Sequence, residues 1–364
     1  MGRRSRPRTE TSSKSVPSTV SIVNRLIFNP PNPARSVPKD ALLSFTRNST
    51  ILNKPDKFRV CVSRLSIPSS SIPLFLYPQQ PEAYTVTLSY VPEDPLQPVI
   101  QETVNVAYVQ DNVGDAYEGM RPVYYIQSML NFVNTAFREA FDNIMVAVAD
   151  IGELYAPTSP PYIKYDSETK LLSLYAWGSY PPAPATSVGY ANTQRYGIFM
   201  NKPVFDNFFS GFFSREVLTG NGQFNGIQLL TQNYGDNVVD VSGEDYVVMR
   251  EEFSSAPLFN KVDRVIVSSG MIPTTGQVLA TSQQQSIPVL LDFILPDINL
   301  DRRRFEYTPF IYRWFDLAQT HPLKAFDLSF RILFETGELV LLKINGGQRV
   351  DCTLLFTPKD CCYQ

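Results

Sequence analysis

The chain has 364 residues, 43% of them hydrophobic, enough to bury one large core or two moderate ones. Only 18% are charged and 12% are aromatic, and 29 prolines interrupt the chain too often for long helices to dominate. A formal net charge of −3 argues against a uniformly basic nucleic-acid binder, and no apolar run approaches the roughly 20 residues of a membrane span or forms the core of a secretory signal.

Residues 1–15 set Arg3, Arg4, Arg6, Arg8 and Lys14 against Glu10 alone, among Ser, Thr and Pro with no apolar period. Such a segment cannot offset its ordering entropy, so a disordered basic arm is expected. It reads either as a solvated tail or as an arm that meets phosphates by charge alone. Val20 to Phe28 is a first strand, closed by Asn29-Pro30-Pro31-Asn32-Pro33. Phe58 to Leu65 is a second, with Phe58, Val60 and Val62 on one face, Cys61, Leu65 and Ile67 on the other, and a stop at Pro68. Tyr84 to Tyr90 alternates well and finds a partner in Thr103 to Val109.

Ile126, Met129, Leu130, Val133, Phe137, Ala140 and Phe141 recur at helical spacing, with Pro122 placed at the first helical position. Their stripe predicts a helix packed on a sheet. Tyr162 to Tyr165 and Leu171 to Tyr175 flank a polar loop as a hairpin. Tyr196 to Phe213 is densely aromatic, and 218–243 reads as exposed Gly- and Asn-rich loops. Tyr246 to Arg250, Lys261 to Ser268 and Val289 to Leu295 follow as strands, with a polar loop over 276–286. Arg302, Arg303 and Arg304 then stand beside Phe305, Tyr307 and Phe310, as a second basic patch or as a strand edge guarded by charge. The chain ends in three consecutive antiparallel strands, Asp327 to Phe334, Leu339 to Ile344 and Arg349 to Phe356, joined by turns at Gly337 and Gly346-Gly347.

Catalytic and metal signatures are weak. His321 is the single histidine and has neither a nucleophile nor an orienting acid in a recognisable arrangement nearby. Cys61, Cys352, Cys361 and Cys362 show no paired framework and no zinc spacing, which favours reduced thiols and folding in cytosol or nucleus, with the sequon at Asn48 silent. Asp292, Asp297 and Asp301 form a loose carboxylate group that matches no calcium loop and reads as solvated acids. The expectation is a protein that is not an enzyme and carries no cofactor or metal.

Taken in order, FRVCVSRLSIP with its trailing IPLF, YTVTLSY, the helix around YYIQSMLNFVNTAF, PPYIKYDSETKLLSLYA, YGIFMNKPVFDNFF, VDRVIVSSGMIP and the terminal FDLSFRILFETGELVLLKINGGQRVDCTLLF resemble the jelly-roll capsid proteins of small eukaryotic DNA viruses. The pattern is most similar to the minor capsid (penton) proteins of virophages and polinton-like viruses, over most of residues 57–356. The resemblance implies an all-β, antiparallel jelly-roll sandwich at 16–364. The order of elements suggests a sandwich formed from both ends of the chain, with residues from about 121 to 243 as an insertion carrying the helix and hairpin. It further implies a virion component assembled in host cytoplasm or nucleus, a homo-oligomer with a pentamer favoured, and contacts with neighbouring capsid subunits. In that setting Arg3, Arg4, Arg6, Arg8 and Lys14 would reach packaged nucleic acid or a neighbouring subunit. The competing class is a glycan- or receptor-binding β-sandwich, which requires the aromatic run Tyr196 to Phe213 to face solvent; burial between chains would favour assembly.

Overall fold

The structure is a computed structural model. It describes residues 19–30, 38–92, 94, 96–109, 121–151, 159–177, 196–218, 225–229, 238–241, 244–272, 274, 278–280, 286–295 and 304–359. Eight strands make a two-sheet sandwich: β1 (Val20–Ile27), β2 (Leu42–Thr46), β3 (Phe58–Pro68), β4 (Val262–Ser268), β5 (Ser286–Phe293), β6 (Arg304–Tyr307), β7 (Ala325–Phe334) and β8 (Arg349–Pro358). One sheet runs β1-β8-β3-β6 and the other β2-β7-β4-β5, every pairing antiparallel. That strand order is the jelly roll. Alternating residues fill the space between the sheets; Phe326, Leu328, Phe330, Ile332 and Phe334 of β7 face Val60, Val62, Leu354 and Phe356 in one continuous core.

Two local departures from simple alternation matter. In β3, Leu65 and Ile67 join Phe58, Val60 and Val62 in the core rather than facing the other way. The register slips between Thr353 and Leu354, so Val62 lies opposite Leu354 and Leu65 opposite Cys352, and the extra residue of this bulge restores the apolar face. The C-terminal stretch is also not a simple meander. Leu339–Leu341 pairs with β7 as a hairpin, Lys343–Ile344 pairs with Lys39–Asp40, and β8 crosses into the other sheet between β1 and β3. Gly337 (φ 85°) and Gly347 (φ 79°) supply the left-handed turns that permit these reversals.

Between β3 and β4 the chain leaves the sandwich and builds a second core, drawn wholly from residues between Leu74 and Phe259, whereas the sandwich core uses residues from Ile22 to Ile72 and from Val262 to Phe356. The excursion begins and ends at one neck, where Lys261 N donates to Leu74 O (2.8 Å). A five-stranded sheet orders Ser214–Leu218, Asn225–Leu229, Tyr196–Met200, Thr85–Tyr90 and Ile100–Asn105; a four-stranded sheet orders Val238–Val241, Glu244–Arg250, Leu172–Trp177 and Tyr162–Tyr165. Part of the 218–243 stretch, read above as loops, is therefore strand, with Ile227 and Leu229 buried.

Helix α1 (Ile126–Asp150) packs on both sheets and extends its stripe through Ile144 and Val148. Pro122 lies in strand Arg121–Val123 rather than at the helix start, and Tyr125 is the N-cap. Asn134 ties the helix to the smaller sheet: its Nδ2 donates to Ile163 O (2.9 Å) and its Oδ1 accepts from Ile163 N (2.7 Å).

A buried carboxylate locks this second module. Glu251 is only 4% exposed; it accepts from Leu172 N (2.7 Å) and from the Ser255 hydroxyl, which lies 2.8 Å from Phe208 O. Gly211 passes so close that a Cβ there would sit 2.3 Å from Phe253 O and 2.8 Å from Glu251 Oε1. Burial raises the Glu251 carboxyl above its usual range, against the hydrogen bonds that favour the anion. The folded chain then holds this proton more firmly than the unfolded chain, so stability falls as pH rises from the unfolded value of 4.5 through the folded one. Urea denaturation across that window should show Glu251→Gln gaining stability relative to the native sequence as pH rises; a constant difference would mean the carboxyl titrates normally. In the sandwich, Phe330→Ala should cost about 3–5 kcal/mol by the same measurement, as a fully enclosed ring leaves a cavity.

Candidate assembly and nucleic-acid surfaces

Arg3, Arg4, Arg6, Arg8 and Lys14 lie outside the described residues. At the first described residue, Thr19 hydrogen-bonds across to Thr357 (3.3 Å), just before β1 begins opposite Phe356. Arg302 and Arg303 also lie outside the described residues. Arg304 is turned onto the outer face of its sheet, where Nε donates to Ser66 Oγ (2.9 Å) and Nη2 approaches Asp351 Oδ2 (3.4 Å).

Asp351 gathers more than this one cation. Arg25 of β1 meets its Oδ1 at 2.7 Å and Arg349 of β8 its Oδ2 at 3.2 Å, while Arg64 of β3 pairs with Glu306 of β6 at 3.1 Å. A row of arginines thus crosses all four strands, and strand alternation puts every one of them on the solvent side. The Arg304 guanidinium is pushed below its usual range by burial and by the neighbouring Arg349 and Arg25, with Asp351 opposing; it stays charged at neutral pH. Farther along the same face Arg59 stacks over Trp314 at 5.0 Å, with Nε and Nη2 lacking a hydrogen-bond partner.

The basic residues and the aromatics that adjoin them in sequence separate in space. Phe305 and Tyr307 turn inward and stack in parallel on Phe293 (5.4 and 4.2 Å), sealing the side where β5 meets β6. Beyond that seal the chain loops out, and Phe310 (101% exposed), Ile311 (79%) and nearby Ile294 (66%) stand in solvent. The loop is not slack: Arg313 pairs with Asp292 while lying over the Phe315 ring (5.4 Å), and Asp292 also holds Arg264 at 3.1 Å. On the opposite side of the sandwich, β2 pairs only with β7 among the described strands and presents Leu42.

The aromatic run does neither of the two things asked of it. Tyr196, Phe199, Phe205, Phe208, Phe209 and Phe212 are buried within the chain's own second module, leaving Phe213 exposed. The run is neither a solvent-facing glycan platform nor a surface waiting for another chain. Asp292 is an ion-pair partner of two arginines, and Asp297 and Asp301 lie outside the described residues. No group of three metal-ligating side chains occurs among the described residues.

His321 is exposed, and its carbonyl accepts from Gln319. Cys61 and Cys352 are free and enclosed, burial pushing each thiol up to about 12, which makes them poor nucleophiles; Cys361 and Cys362 lie outside the described residues. A cleft of about 480 Å³ opens where the two modules meet, with Glu335 and Glu338 at the Gly337 turn. Both acids are exposed, the setting of solvated surface carboxylates rather than of a desolvated acid–base pair.

No described helix is long and apolar enough to cross a membrane. The family model for Sputnik minor capsid protein V18/19 matches residues 22–358. Among solved structures, a chain from the 3.5 Å cryo-EM structure of the Sputnik virophage superposes with a TM-score of 0.69 at 20% identity, covering 96% of this chain and 100% of that one. The crystal structure of the mavirus penton protein superposes with a TM-score of 0.62 at 14% identity, covering 94% and 100%. No curated protein matches the chain. Those likenesses show the jelly-roll fold, and with the matched length they make the chain a member of the Sputnik minor capsid protein V18/19 family, a structural component of the virion rather than an enzyme.

Proposed function

We propose that the chain forms the vertices of its capsid as a homopentamer. The apolar loop at Phe310 and Ile311 of one copy would pack on the β1–β2 side of the next, where Val23 and Leu42 are exposed. The observation that carries this reading is the solvation of Phe310 and Ile311 at one side of the sandwich, in a family of capsid proteins. Contiguous exposed apolar side chains mark contact sites more often than scattered ones do. Contact between two different sides of the same fold is heterologous, and a heterologous contact whose rotation closes gives a ring. One of the similar structures described above is itself a penton protein.

In this reading the sandwich of 19–68 and 262–359 is the shell-forming module, and 69–261, wider than the 121–243 expected from the sequence, is the insertion. Arg3, Arg4, Arg6, Arg8 and Lys14 belong to an arm that leaves beside Thr357 and meets packaged nucleic acid through its phosphates.

Native mass measurement on the purified chain tests the assembly. A discrete pentamer is the expected species, with neighbouring capsid subunits as its further partners. Phe310→Ser combined with Ile311→Ser should release monomers while leaving thermal unfolding within about 0.5 kcal/mol of the native sequence, since both side chains are already in water. A native chain that stays monomeric would overturn the vertex reading; a variant that still forms pentamers would remove this loop from the contact.

A further inference from the structure

We infer that the outer face of the β1-β8-β3-β6 sheet is a second nucleic-acid contact, independent of the arm. The first observation is a segregation of sign hidden by the net charge of −3. Residues 69–261 hold nine Lys and Arg against 21 Asp and Glu, a net −12, while the rest of the chain holds 23 against 14, a net +9. Setting aside the arm's five cations and Glu10 still leaves 18 against 13, or +5, on the sandwich module and its flanks. Asymmetry of this size between two parts of a chain directs a polyanion to one of them.

The second observation is where that charge sits. The outward positions of this one sheet and its immediate ends carry Arg25, Arg59, Arg64, Arg304, Arg349 and Lys359 against Glu306, Asp316 and Asp351, a net +3. Asp351 is shared by three guanidiniums of five N–H donors each; Arg304 also donates to Ser66, while Arg25 and Arg349 each meet Asp351 through Nε and turn their remaining donors to a ligand. Arg64 and Arg349 are 58% and 49% exposed. The row spans four strands, about 14 Å at the usual inter-strand spacing. That is too long for a single small anion and suited to a run of phosphates on one backbone, which guanidinium forks grip without reading bases.

The test uses the full-length chain in four forms: native, Arg64→Gln with Arg349→Gln, the arm variant with Arg3, Arg4, Arg6, Arg8 and Lys14 all changed to Gln, and the two sets combined. Binding to a labelled random-sequence DNA duplex is followed by fluorescence anisotropy over a NaCl series, with polyglutamate as competitor. The arm variant should keep salt-dependent binding. Adding the two sheet substitutions should weaken it by about tenfold or more and lower the slope of log K against log salt by about 2, near 0.9 for each lost phosphate contact. Abolition of all binding in the arm variant, or equal binding by the arm and combined variants, would overturn the inference. Polyglutamate competing as well as DNA at equal charge would also overturn it and assign the face to an acidic protein segment. Thermal unfolding checks the fold of each form, and Arg64→Gln alone, with an expected slope change of about 1, carries the test if the double change disturbs folding.

Discussion

The pairing of β3 with β8 is the constraint on which the rest depends. It joins backbone separated by 290 residues, as in the Ser63 hydroxyl bond to Thr353 O, and places both strands at the centre of one sheet. With that pair formed, β1 has only the free edge of β8 to occupy and β6 only the free edge of β3. The connection from β7 must then cross from one sheet to the other, which is what splits the apolar run 339–344 into two short strands around the buried Leu342. The bulge at Thr353/Leu354 is part of the same constraint. Without the extra residue, Leu65 and Ile67 would face water and Arg64 would face the core.

A long excursion inside such a pair is thermodynamically tolerable. Closure entropy grows only with the logarithm of loop length, so tripling the enclosed chain costs about 1 kcal/mol. Here the excursion also returns to its own starting point through the Leu74–Lys261 hydrogen bond and encloses a separate core. The sandwich is therefore asked to hold a neck rather than a loose loop. Separate cores also free the two modules to differ in surface chemistry, and they do: the acidic excess lies in one and the basic excess in the other. Like charges kept within each module repel there, and Glu251 is held by hydrogen bonds from Leu172 N and Ser255 rather than left in that surface field.

Most strands were legible because their side chains alternate cleanly. Leu328, Phe330, Ile332 and Phe334 announced β7, and the 3.6-residue period of Ile126, Met129, Leu130 and Val133 announced α1. What escaped was non-local. Strict alternation put Leu65 opposite Val62, since a bulge has no mark in the sequence of one strand. Three successive C-terminal strands read as a meander, since local patterns do not record that β8 prefers β1 and β3 over its neighbour in sequence. Ile227 and Leu229 were lost among Gly and Asn, where short strands take their burial from the sheet beside them. The arginine row was only partly visible: Arg304 stood out in its triplet, but its companions Arg25, Arg64 and Arg349 come from three other strands and converge only through register.

The aromatic residues carry the same lesson in a different form. A composition rich in Phe and Tyr with few charges is as compatible with a heavily loaded interior as with sticky interfaces, and among the described residues most of these rings are in the interior. Tyr77 shows how a phenol can be placed there, its hydroxyl bonded to Val106 O while its ring meets Tyr84 and Phe132 edge-on. Phe293, Phe305 and Tyr307 close the side of the sandwich by parallel stacking instead. Among the large hydrophobics that remain in solvent, Phe310 and Ile311 are adjacent and are two of the most exposed. Phe310 and Ile311 lie just outside the Phe293 stack, on a loop that leaves the end of β6, is held by Arg313 and Asp292, and returns where Phe315 and Asp316 pair with Val60 and Arg59 of β3. An apolar projection whose base is tied by an ion pair loses less conformational entropy when covered than an untethered tip would.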